Sequence, residues 1–343
     1  MPYARSFSTE LAAIDLIDLF TRQFDACRLK RGEFCALITD TAWNPVYAAA
    51  AMGACKALKA EVSLTTFAAS ETIPARALQA VCAHADLIVY MSAFTIHYRP
   101  ELKAALNRGA RALCVMQPVH VLHRLTADTT VRRRALAGAA LLDRASVIEI
   151  TTHAGTHLTM NKAGRRGLAA YGAADRPGHL DFWGGGMVQA AQLEGTTQGR
   201  LVLDIGDVCF MLARFVESPV TITFEEGRIS GIEGGLDARL LRHAVEAAGE
   251  PDAFLAGHIA WGVDHRAKWL APILDTPDQG GGGADSEAFY GAVQVEIGSN
   301  NDILFGGRNR STLHMGLCLL NANLSLDGAP VIDGGRFIVP ELI

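Results

Sequence analysis

Four short apolar runs recur through the first third of the chain: "FCALITD" (34–40), "EVSLTTF" (61–67), "DLIVYMS" (86–92) and "RALCVMQ" (111–117). Each is strand-length, and each could be a buried parallel strand. Helical stretches separate them: "PVYAAAAMGACKALKA", "ARALQAVCAHA" and "RPELKAALNRGA". Such alternation leaves few options, because strands joined through helices pair in parallel and carry the helices on their faces. The reading is a Rossmann- or flavodoxin-like α/β domain over residues 1–150, ending in a helix at 131–145 and a strand at 146–152. The opening segment sets Glu10, Asp15 and Asp18 among apolar positions, so it reads as an amphipathic helix rather than a signal peptide.

Beyond residue 150 glycine-rich turns separate the runs at 199–207, 219–232, 289–298 and 312–328. In "EEGRISG" a hairpin turn is expected, with Gly227 supplying the positive φ. One helix, "DARLLRHAVEAAG" (237–249), stops on Gly249. This second part, 151–343, reads as an α+β catalytic domain rich in antiparallel strands. The segment "DTPDQGGGGADS" (275–286) reads as a surface loop or a lid.

With 31 basic against 36 acidic residues and no Lys/Arg block, neither nucleic acid nor an anionic membrane surface is the expected partner. No apolar run is long enough to span a bilayer. Seven cysteines without a CxxC pair point to a reducing cytoplasm rather than a disulfide framework. There is no P-loop, GxGxxG or GxSxG. Cys209 and Cys318 lack the adjacent cations that would make a nucleophile. The glycines of "FWGGGM" (182–187) read either as an anion-binding nest of backbone N–H groups or as a tight turn.

The chemistry therefore rests on histidines. His258 in "FLAGHIAWG" and His314 in "STLHMGL" both interrupt strand-like apolar runs. Each alone reads as a core histidine; two brought together would suit a metal, and with a carboxylate they make the face-binding triad of non-haem iron oxygenases. On a strand, residues two apart share a face, so the position beside His314 is 316, which is a glycine. Either another residue completes such a site or that corner stays open to water or substrate. The carboxylates to consider are Glu296, Asp302, Asp264 and Asp181. Glu296, within "VQVEIG", is either a ligand or a solvent-facing residue on a half-buried strand. His153 and His157 have i,i+4 spacing, but Gly155 between them argues against a metal-binding helix.

The segments "GRLVLDIGDV", "GRISGIEGGLDARLLR", "GHIAWGVDHRAKW", "DSEAFYGAVQVEIG" and "LHMGL", in that order, resemble the 2,5-dihydroxypyridine 5,6-dioxygenase family. That family comprises mononuclear Fe(II) enzymes related in fold to the M29 metalloaminopeptidases. The resemblance implies an M29-like fold, a homo-oligomer and ring-opening chemistry on a small hydroxylated N-heterocycle or aromatic. It implies His258 and His314 as iron ligands and places the family's aspartate ligand on Gly316; Glu296 is the candidate replacement metal ligand. His179 and His265 are the candidate acid/base catalysts, with Arg266 as an anion partner. The alternatives are an amide or cyclic-amide hydrolase, with another divalent metal or none, and a binding protein with a degenerate metal site.

Overall fold

The computed structural model describes residues 9–69, 73–92, 95–270, 284–301 and 304–343. Contacts divide the chain into two compact units, 1–127 with 172–183, and 128–171 with 184–343. Against the single break expected near residue 150, the helix Thr129–Arg144 belongs to the second unit, while 172–183 returns to the first. The reason is pairing: Leu180–Phe182 adds a fifth parallel strand beside Arg111–Cys114.

The first unit is an all-parallel sheet in the spatial order Glu61–Phe67, Phe34–Asp40, Leu87–Met91, Arg111–Cys114, Leu180–Phe182. This is the flavodoxin-like order. Two of the expected runs match their strands residue for residue, Phe34–Asp40 and Glu61–Phe67. Helix Thr9–Ala26 buries Leu16, Leu19, Phe20 and Phe24, and the Phe20 ring meets that of Trp183 edge-on at 4.9 Å.

The second unit holds two antiparallel sheets. One has eight strands and includes the expected hairpin, Val220–Glu225 with Arg228–Gly234, where Glu226 and Gly227 both take positive φ. The other has seven strands, and its three central neighbours are His314–Leu319, Val293–Gly298 and Ala256–Gly262. Every residue of the latter two strands is buried. On one face the helix Thr129–Arg144 lies so close that a Cβ at Gly138 would stand 2.7 Å from Val188 and 3.3 Å from Trp261. The opposite face carries the side chains of His258, Glu296 and His314. The segment at 275–286 falls mostly outside the described residues, as does Asp302; residues 284–286 open the helix Ala284–Ala288.

Two backbone devices aim that face. Between the pairs Ala256↔Ile297 and Ile259↔Val295, two residues, Gly257 and His258, oppose the single residue Glu296. Such a bulge bends the strand and re-aims a side chain. Gly298, paired across from His314, has φ +95, and a Cβ there would fall 2.1 Å from the Leu313 carbonyl oxygen. Only glycine fits that position. Gly298→Ala is therefore expected to lower stability by at least about 2 kcal/mol through backbone strain. Gly231→Ala, whose Cβ would meet nothing within 4 Å, should stay within about 0.5 kcal/mol of the parent in urea unfolding.

Candidate metal centre

In the central strand pair Glu296 faces Gly316 directly and Gly298 faces His314. Ala260 pairs with Gln294, which puts His258, two residues before it, on the same face as Glu296. The result is a group of three, His258, Glu296 and His314, each offering one ligand atom, all within 4.8 Å of one another. Metal–nitrogen bonds of about 2.1 Å set ligand atoms about 3 to 4 Å apart, so closing on an ion asks for less than about 1 Å of movement. The imidazole centroids are 5.3 Å apart.

Each member is prepared differently. His314 is part-exposed, and its Nδ1 lies 3.0 Å from the Ser299 carbonyl oxygen. Donating that proton to the carbonyl fixes the tautomer and leaves Nε2 as a lone pair, 3.8 Å from Glu296 Oε2. His258 is buried, with its Nδ1 at a long 3.5 Å from the Ile259 carbonyl. Burial, with the neighbouring His314, holds its pKa well below the usual histidine range, so it stands as a neutral imidazole. Phe305 stacks on it at 4.2 Å and 24°.

Glu296 is only 2 % exposed. The solvent-facing alternative is thereby overturned: the sheet is covered on both faces, so alternation along this strand does not separate core from solvent. Desolvation pushes its carboxyl up to about 8. Its Oε2 is buried and has no hydrogen-bond partner among the described residues. An orphaned carboxylate oxygen facing two imidazoles is the donor set of a divalent transition metal, and the residues fit one.

The sequence offered no signal for three further neighbours. Glu287, on Ala284–Ala288, is a second acid whose carboxyl is pushed up to about 8 by desolvation and by Glu296. Phe305 reaches His258 from the segment that follows Asn301. Phe210 lies over Gly316, with a Cβ at 316 falling 2.7 Å from Phe210 Cδ2. Of the two alternatives for that corner, an open one does not fit, because the ring of Phe210 stands there.

The remaining candidates stand elsewhere. His179 belongs to the first unit, its Nδ1 3.6 Å from Asp175 and its Nε2 3.7 Å from the buried Asp181. His265 is exposed, with Nδ1 3.3 Å from Arg134 Nη1. Arg266 already pairs with buried Asp264 at 2.7 Å. His157 sits on a strand rather than a helix, 3.1 Å from Glu149, and His153 is exposed in a turn. Gly186 packs on Asp264, where a Cβ would fall 2.7 Å from the aspartate Cβ, so close approach rather than a nest explains that glycine. Cys209 and Cys318 are buried, and burial pushes the Cys209 thiol up to about 11, in keeping with the sequence reading that neither is a nucleophile.

Comparison with known proteins places this geometry. The family model for 2,5-dihydroxypyridine 5,6-dioxygenase matches residues 15–339. The curated 2,5-dihydroxypyridine 5,6-dioxygenase of Pseudomonas putida is 32% identical over 266 residues, covering 78% of this chain and 73% of that protein. The solved structure of the P. putida 2,5-dihydroxypyridine dioxygenase superposes with a TM-score of 0.88 at 28% identity, covering 96% of this chain and 99% of that one. AmpT from Thermus thermophilus shares the fold at a TM-score of 0.64 and 14% identity, over 97% of this chain and 100% of that one. With a family model spanning almost the whole chain and a relative above 30% identity, this chain belongs to the 2,5-dihydroxypyridine 5,6-dioxygenase family.

Proposed function

We propose that the protein is a ring-opening dioxygenase of small hydroxylated N-heterocycles or aromatics, and that Fe(II) is held by His258, Glu296 and His314. The observation that carries this is the buried, unpartnered Oε2 of Glu296 on the same sheet face as two imidazoles. Family membership supplies the reaction class. Bound at this face, Fe(II) would supply Lewis acidity and a redox centre at which a chelating ring substrate and O₂ meet.

The chain's own residues do the rest. His258, His314 and Glu296 would hold a divalent ion through two neutral donors and one carboxylate, a net charge of +1. The Ser299 carbonyl keeps His314 in its ligand tautomer, and Phe305 fixes the plane of His258. Phe210 and Phe305 make the surroundings apolar, which suits a flat ring and limits water. For proton handling His265, in the same unit as the three ligands, stays as a candidate. No observation favours the amide-hydrolase alternative.

The direct test is O₂ consumption with 2,5-dihydroxypyridine and related hydroxylated heterocycles. Anaerobic chelation should abolish uptake and Fe(II) alone should restore it; uptake that persists in chelator would refute the iron reading. His258→Ala and His314→Ala should each abolish turnover with the circular dichroism spectrum unchanged. Glu296→Gln should weaken metal binding by about 10-fold or more.

The pH dependence has a definite sign. Without metal the fold keeps Glu296 protonated up to about pH 8, and ligation requires the carboxylate. Metal affinity should thus rise with pH and level off above about 8, with proton release on binding shrinking over the same range. His258 loses its proton well below this window and does not set it. A flat affinity between pH 6 and 8 would count against Glu296 as a ligand.

A further inference from the structure

Gly316 is a strand residue with ordinary backbone angles. It is absent from the positive-φ glycines, so the main chain does not require a glycine there. What forbids a side chain is its surroundings. A Cβ at 316 would stand 2.7 and 2.8 Å from Cδ2 and Cε2 of Phe210 and 3.0 Å from Oε1 of Glu296. Two groups thus border the volume that a side chain at 316 would take, one an aromatic ring and one the carboxylate from the neighbouring strand.

Topology explains how the ring gets there. Val208–Cys209 pairs with His314–Leu319 on the edge away from Glu296, with Val208 opposite Cys318 and Cys209 opposite Leu317. The next residue, Phe210, begins a single turn of 3₁₀ helix, Phe210–Leu212, and so falls level with Gly316. Strand His314–Leu319 is therefore flanked at one level by Phe210 on one side and Glu296 on the other. Residues 314 and 316 share a face, so a carboxylate at 316 would stand beside His314 much as Glu296 does from across the pair.

Resting on the reading of His258, Glu296 and His314 as metal ligands, we propose that Phe210 is the positioning residue that decides which strand supplies the carboxylate. Its ring occupies the position of a side chain at 316, bars an acid there, and backs the Glu296 carboxylate so that it faces the histidines. The ligand set follows from an aromatic residue that touches no ion.

The experiment is anaerobic titration of the purified full chain with Co(II), followed by its visible absorption, so that turnover is not needed. Glu296→Gln should lose about 10-fold or more in affinity. Adding Gly316→Asp should recover nothing while Phe210 is present. Adding Phe210→Ala as well should bring affinity back to within about 3-fold of the parent. Recovery in the double variant, or none in a folded triple variant, overturns the proposal. Unchanged affinity in Glu296→Gln alone would instead overturn the ligand reading beneath it. If the triple variant fails to fold, urea midpoints decide. Gly316→Ala should lower the midpoint in the Phe210 protein and leave it unchanged in Phe210→Ala. An equal fall in both backgrounds overturns the proposal.

Discussion

A carboxylate buried to 2 % exposure with one oxygen unpartnered is the constraint around which the second unit is organised. Removing such a group from water costs several kcal/mol unless it is paired or neutralised. Without a cation, desolvation favours the protonated carboxyl, pushed up to about 8. In the metal-bound state proposed above, the ion itself would compensate the charge. Two of the three strands that converge on this point are buried along their whole length, and the bulge at Gly257–His258, the glycine at 298 and the Ser299 carbonyl all orient groups toward it.

Much of the first unit was legible because its information is local. Consecutive apolar positions alternating with helices read as a buried strand, and Phe34–Asp40 falls where that logic puts it, buried from Cys35 onward; Glu61–Phe67 forms its strand at the sheet edge with none of its residues buried. The unit boundary was less legible, because it depends on a strand, Leu180–Phe182, that leaves and rejoins the first sheet through pairing. His258 and His314 could be read as candidates since histidines rarely interrupt such runs. Glu296 was ambiguous for a physical reason: its alternation with Val293 and Val295 resembles a half-exposed strand, and only the cover on both faces settles its burial. Phe210, Phe305 and Glu287 carry no motif. Their importance lies in register and approach between segments distant in sequence, which one chain read alone does not contain.

The chain belongs to the dioxygenase family, and the place of Glu296 opposite Gly316 has a structural sense. Directly opposed residues of an antiparallel pair lie close enough for side chains on either strand to serve one location. A site built on adjacent strands can keep its place while the residue that furnishes the charge changes strands. Glu296 reaches from across the pair, and the space beside Gly316 is taken by the ring of Phe210.

The bulge opposite Glu296 bears on how this strand tolerates change in length. Because side chains alternate, the extra residue at Gly257–His258 offsets everything before it by one step relative to everything after. Losing one residue here would make the pairing regular and turn the preceding segment to the other side of the sheet, separating Ala256 and Leu255 from the carbonyls and amides they now match. The strand can accept exchanges of residue type at many positions, but its count of residues is fixed. In a lineage of such proteins, insertions and deletions should accumulate in the turns and be purged from this strand.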